Sequence, residues 1–269
     1  MAFLEVENGR RVYYEHHVGS GRPVVLIHGW AVNARCWDTT LPALLDAGHE
    51  VALLDHRACG RSDKDFADVS VAAVASDVVA LVHRLGLNLP VLNGWSLGGA
   101  VAVEAAVRLR DTVGGLVLTG GATPRYTATE GWPYGGTAAD TEAVLAGLAA
   151  DRATTFRGVA SAVCAKPVGQ DVVDWTWGQF LESGPRADAT LRDLIGLDQR
   201  ELLGRIECPV LLMCGTEDAF VSIDGVRASR DLYRDARLVE FGGSGHAPFL
   251  EDRDSYLAQL LEFAGTAAR

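Results

Sequence analysis

Six short, unbroken apolar runs recur along the chain: PVVLIHG at 23–29, EVALLD at 50–55, LPVLNGW at 89–95, GGLVLTG at 114–120, CPVLLMCG at 208–215 and ARLVEFGG at 236–243. Each has the length of a strand and lacks the polar alternation of a sheet with one wet face, so each suits a strand covered on both sides, as in a parallel sheet. Parallel neighbours need long crossovers, and the intervening segments VSVAAVASDVVALVHRLG (69–86) and LGGAVAVEAAVRLR (97–110) carry helical spacing. An α/β architecture follows, a mostly parallel sheet flanked by helices. Ahead of these runs, FLEVENGRRVYYE alternates on either side of Asn8-Gly9, a pair suited to a tight hairpin, which adds two antiparallel strands at the start.

One interruption breaks the rhythm. From about residue 123 to 205 no strand-like run occurs, and this is too long for a crossover. A turn-rich entry, GWPYGG (131–136), precedes helix-like segments, including VVDWTWGQFLESG (172–184). The expected organisation is a core of residues 1–123 and 206–269 carrying an inserted helical cap at 124–205.

With 269 residues, 48% of them hydrophobic, the chain can bury one large core. Its net charge of -11 argues against nucleic acid or an anionic membrane as partner, since both reward clustered Lys and Arg. Glu5 and Glu7 stand where a signal peptide would need apolar residues, and no apolar run reaches membrane-spanning length. The expectation is a soluble, cytoplasmic protein. Five scattered cysteines without a C-x-x-C spacing indicate reduced thiols and no metal site.

The chemistry concentrates at NGWSLGGAV, residues 93–101. Ser96 follows a strand and opens a helix, so the chain must reverse sharply at the serine, and Gly94 and Gly98 remove the side chains that such a turn would crowd. The turn lifts the hydroxyl above the strand ends and aims the unpaired amides at the helix start toward whatever Ser96 attacks. A serine needs a base, and the base needs an acid to fix its tautomer. Asp218 in GTEDAFVS and His246 in GGSGHAPFLED each follow a buried strand, on the edge where loops of an open parallel sheet converge. Glu217 is the rival acid and Asp224 a more distant one. The amides of Leu97, next after the nucleophile, and Trp30, in the HGW loop after the third strand, are placed to bind an oxyanion. Trp30, Trp175, Trp177 and Phe180 are expected to line the substrate site. His28 reads as a residue bracing its loop, and Asp55, Arg57, Gly60 and Ser62 as a loop-shaping network.

With HGW, DHRACGRS, GWSLGG, GTEDAFV and GSGHAPFLE in this order, the chain resembles the α/β-hydrolase superfamily, most closely small carboxylesterases of the haloperoxidase-like and pimeloyl-ACP methyl ester esterase groups. The resemblance implies an eight-stranded sheet whose second strand is antiparallel, with no cofactor. It also implies Ser96 as nucleophile, Asp218 as acid, His246 as base, and the Trp30 and Leu97 amides as oxyanion hole. The sequence departs from the family pattern at Ala58, in a slot usually filled by glycine. The cap holds eight Lys and Arg against eleven acids, an unfavourable surface for an acidic carrier protein, so a free small ester is the expected substrate.

Hydrolysis of a small carboxylic ester through an acyl-serine is the leading expectation. Dehalogenase and epoxide hydrolase chemistry is disfavoured because the resemblance assigns an aspartate to the Ser96 position in those enzymes. Perhydrolysis, lactone opening and carbon-carbon bond hydrolysis use the same triad. A slow ligand receptor on this fold is the alternative from another class, and turnover distinguishes it.

Overall fold

The computed structural model describes residues 2–266. Eight strands form one sheet: β1 (Ala2–Glu7), β2 (Arg10–His17), β3 (Gly21–Ile27), β4 (His49–Leu54), β5 (Val91–Trp95), β6 (Gly115–Thr119), β7 (Val210–Gly215) and β8 (Ala236–Phe241). Their order is β1-β2-β4-β3-β5-β6-β7-β8. β2 is antiparallel to both neighbours, and every other pairing is parallel. Asn8 and Gly9 both take positive φ, 44° and 82°, the requirement of a type I′ turn, and the first hairpin closes there. The central strands are buried along their whole length, which explains their unbroken apolar sequences.

The flanking helices of the core are α1 (Leu41–Asp46), α2 (Val71–Leu85) and α3 (Leu97–Leu109). Between β6 and β7 come α4 (Ala138–Ala150), α5 (Arg152–Ala162), α6 (Gln170–Leu181), α7 (Asp188–Gly196) and the short α8 (Arg200–Leu203). The chain ends with α9 (Ile223–Arg230), α10 (Pro248–Glu251) and α11 (Arg253–Thr266). Local signals set several boundaries. The Ser70 hydroxyl caps α2 by accepting from the Ala73 amide, and Gly86, at φ 65°, ends that helix in the left-handed conformation. Thr137 and Asp140 form a reciprocal capping box at the start of α4.

The helices between β6 and β7 are bonded to the core along one rim. The Gly184 amide donates to the Ala58 carbonyl (2.7 Å), the Trp30 indole to the Ala187 carbonyl (2.9 Å), and the Gln199 side chain to the Ala100 carbonyl (2.9 Å). Asp55 organises the loop beneath, accepting from the amides of Ala34 (2.8 Å) and Arg61 (2.7 Å), while Arg57 grips Asp77 through two bonds of 2.7 Å and Glu7 through a third. Ala58 does occupy the left-handed region, at φ 63°. Its methyl group is fully buried beside Phe66 and Val69, so burial worth about 0.8 kcal/mol offsets most of a left-handed cost of about 1 kcal/mol.

Candidate active site

Ser96 stands between the last residue of β5 and the first of α3, at φ 56° and ψ -125°. Conformations of this kind cost about 1–3 kcal/mol and persist only when their surroundings enforce them. Here the Ser96 amide donates to the Thr119 carbonyl (3.0 Å), and its carbonyl accepts from Gly99 and Ala122 (both 2.8 Å). The tightness of the turn is visible at Gly94, where an added Cβ would lie 2.2 Å from the Gly98 carbonyl oxygen. Leu97 is the first residue of α3, so its amide has no intrahelical acceptor.

The other two predicted residues meet. His246 Nδ1 lies 2.8 Å from Asp218 Oδ2, with side chains 5% and 0% exposed. The second Asp218 oxygen accepts from the amides of Phe220 (2.8 Å) and Val221 (2.9 Å), which fixes the carboxylate. A carboxylate accepts, so in this bond Nδ1 is the donor, and Nε2 is the nitrogen turned away from Asp218. Trp95 and Phe220 flank the imidazole with ring centroids 5.5 and 5.0 Å away, and the Trp95 indole donates to the His246 carbonyl (2.8 Å). The rival carboxylates face elsewhere: Glu217 is exposed, and Asp224 is exposed and paired with Arg227 at 2.8 Å.

Ser96 and His246 line one cavity of about 340 Å³. Its floor includes Gly29, Trp30, Trp95 and Phe220, and its roof Val144, Val159, Val163, Phe180, Leu191 and Leu194. Tyr126, Asp140 and Thr141 supply polarity. Burial, with the carboxylates of Asp218 and Asp140 adding to it, pushes the Tyr126 phenol up to about 12, so it remains a neutral donor.

Trp175 and Trp177 do not line this cavity, contrary to the sequence expectation; of the three aromatics on α6, only Phe180 does. Helical geometry explains the difference. Trp175 lies five residues before Phe180, about 140° around the helix at 3.6 residues per turn. Trp177 is held against α5, donating to the Ala153 carbonyl (2.9 Å) under the Arg157 guanidinium. The sequence reading also missed Tyr126, the aliphatic roof and Gly120. An added Cβ at Gly120, whose φ is 48°, would lie 3.0 Å from both Asp218 Oδ2 and His246 Nδ1. Glycine leaves the space in which the Asp218 carboxylate and the His246 imidazole meet, and the Gly120-Gly121 pair after β6 was its only signal.

His28 is fully buried and bonded at both nitrogens, Nδ1 to the Gly29 carbonyl (2.7 Å) and Nε2 accepting from the His56 amide (2.8 Å). Burial lowers its pKa to about 4, and the neutral ring braces the HGW loop. All five cysteines are free, and burial pushes Cys59, Cys164 and Cys208 up to about 12, leaving no competing thiolate among them at neutral pH. Among the described residues no cluster suited to a metal ion occurs, and no helix is long and apolar enough to cross a membrane.

Residues 24–259 match the alpha/beta hydrolase family, to which the chain belongs. It is 31% identical to a pimeloyl-[acyl-carrier protein] methyl ester esterase from Chromobacterium violaceum, over 93% of this chain and 97% of that one. It is 28% identical to a non-heme haloperoxidase from Rhodococcus erythropolis, over 98% and 99%. Among solved structures, an esterase from Exiguobacterium antarcticum superposes with a TM-score of 0.94 at 27% identity, covering 98% of this chain and 99% of that one.

Proposed function

We propose that the protein is a serine hydrolase of small carboxylic esters. The observation that carries this reading is the bonded Asp218–His246 pair opening onto the same cavity as Ser96 on its strained turn. Ser96 Oγ attacks the acyl carbon while His246 Nε2 takes its proton, and Asp218 holds the imidazole tautomer and stabilises the imidazolium. The amides of Leu97 and Trp30 receive the oxyanion. As the tetrahedral intermediate collapses, the imidazolium protonates the leaving alcohol and an acyl-Ser96 ester remains. Water, deprotonated by the same nitrogen, then releases the acid and restores the serine.

The aliphatic roof favours an acyl chain of short to medium length, since apolar burial contributes about 25 cal/mol per Å². Asp140 is the one carboxylate on the cavity wall, and no Lys or Arg accompanies it, which favours neutral acyl groups over anionic ones. Hydrolysis of p-nitrophenyl esters of increasing acyl length tests the proposal: turnover that peaks at a short or medium chain and disappears in Ser96→Ala is expected. Absence of turnover on the whole series contradicts it. Perhydrolysis is the second reading, favoured by the similarity to a protein named a haloperoxidase. Hydrogen peroxide in place of water at the acyl-serine would release a peroxy acid, which oxidation of an added halide would report.

A further inference from the structure

Two backbone segments touch beside the catalytic base. The His246 amide donates to the Val163 carbonyl (2.8 Å), and an added Cβ at Gly245 would lie only 2.6 Å from the Ala165 nitrogen. At this contact the amides of Ala165, Lys166 and Gly245 converge, and donors cannot satisfy one another. Glu251, the last residue of α10, supplies the acceptor. Its Oε1 receives the amides of Ala165 (2.8 Å), Lys166 (2.8 Å) and Gly245 (2.9 Å), and Oε2 also lies 2.9 Å from the Gly245 nitrogen. Val163 lines the cavity that His246 opens onto.

We infer that Glu251 is a positioning residue that locks the His246 loop to the wall of the acyl cavity, so that base and wall move as one body. The inference rests on the esterase reading for its catalytic consequence, but the lock itself is a property of hydrogen bonding. Charge-assisted bonds to three amides are strong, and the segment at Ala165 is exposed, so water can replace the carboxylate without unfolding the protein. Loss of Glu251 therefore loosens two segments at once. Because Glu251 touches no substrate, its effect passes through His246 and Val163.

Two measurements on the full chain test this. In hydrogen exchange, Glu251→Ala is expected to accelerate the segments 163–166 and 244–246 together, whereas Glu251→Gln, which keeps one acceptor oxygen but loses the charge, is expected to accelerate both less than Glu251→Ala does. In kinetics with p-nitrophenyl esters, Glu251→Ala is expected to lower kcat about tenfold for all chains and to raise KM for hexanoate but not for acetate, with Glu251→Gln within about threefold of wild type. Acceleration of only one segment, or a Gln variant as impaired as the Ala variant, overturns the inference. If wild type hydrolyses no ester while both segments still loosen together, the lock stands and the esterase reading fails.

Discussion

The floor of the cavity and its roof are built on different principles. The floor places Ser96, Asp218 and His246 on turns at the ends of β5, β7 and β8, each fixed by backbone geometry or directed hydrogen bonds: the strained elbow, the carboxylate held by two amides, the imidazole bonded to that carboxylate. The roof presents Val144, Val159, Phe180, Leu191 and Leu194, which contribute shape and apolar area. Chemistry that moves protons needs particular atoms at particular distances, whereas an acyl chain needs only a dry surface of suitable depth. Substitutions in the floor should therefore abolish the reaction, and substitutions in the roof should redirect it.

The largest separation is expected within the floor. Asp218→Asn should lower kcat by about 10⁴-fold, because the amide favours the wrong imidazole tautomer, while Glu217→Gln, one residue away and exposed, should stay within about threefold. Steady-state kinetics on acetate measure both, and equal effects would dissolve the distinction between the two carboxylates. Gly120→Ala should also damage the floor without touching substrate. A methyl group there crowds both Asp218 and His246 and takes a φ of 48°, so a loss of about 10²-fold in kcat is expected. Unchanged kcat would show that the pair tolerates displacement.

Much of the floor was legible in the sequence because its chemistry demands residue types at set places. A serine on so tight an elbow requires Gly94 and Gly98, and buried strands announce themselves as apolar runs whose ends mark the loops that carry Asp218 and His246. Gly120 was not read because its importance comes from what approaches it in space, and neither Asp218 nor His246 is near it in sequence. The roof was read least well. Leu191, Leu194 and Val144 are ordinary helix residues, and nothing in their local pattern says which face meets the cavity. The aromatics were misleading for the same reason: Trp175 shares a segment with Phe180 but not its face, and Trp177, one turn before Phe180, is turned against α5 by its bond to the Ala153 carbonyl.

The roof is expected to respond in selectivity. Val144→Phe should shorten the cavity and lower kcat/KM for octanoate about tenfold, while acetate changes by less than about threefold and Trp175→Ala leaves the profile unaltered. A profile that shifts with Trp175 and not with Val144 would reverse the assignment of the roof. A smaller effect is expected in stability. His28 and His56 are buried neutral, and burial holds both below the ordinary histidine value, His28 at about 4. Unfolding releases them to titrate normally, so stability is full above about pH 6.5 and declines as pH falls toward 4, on the order of 3 kcal/mol for His28 alone. Denaturant midpoints at pH 7 and 4.5 check the sign, and a stability that rises on acidification would exclude buried neutral imidazoles. Smallest of all, Ala58→Gly should move stability by less than about 0.5 kcal/mol, since the relieved backbone and the lost methyl nearly cancel.

The central claim, that the floor performs acyl transfer through Ser96, is tested most directly by covalent capture. A p-nitrophenyl alkylphosphonate presents a tetrahedral phosphorus to the nucleophile, and attack expels p-nitrophenolate to leave a stable serine phosphonate. Intact mass and peptide mapping are expected to show one adduct per chain, on Ser96, with esterase activity falling in proportion, and labelling at least about 10³-fold slower in His246→Ala. An adduct on another residue, or full activity in a chain modified at Ser96, would contradict the account.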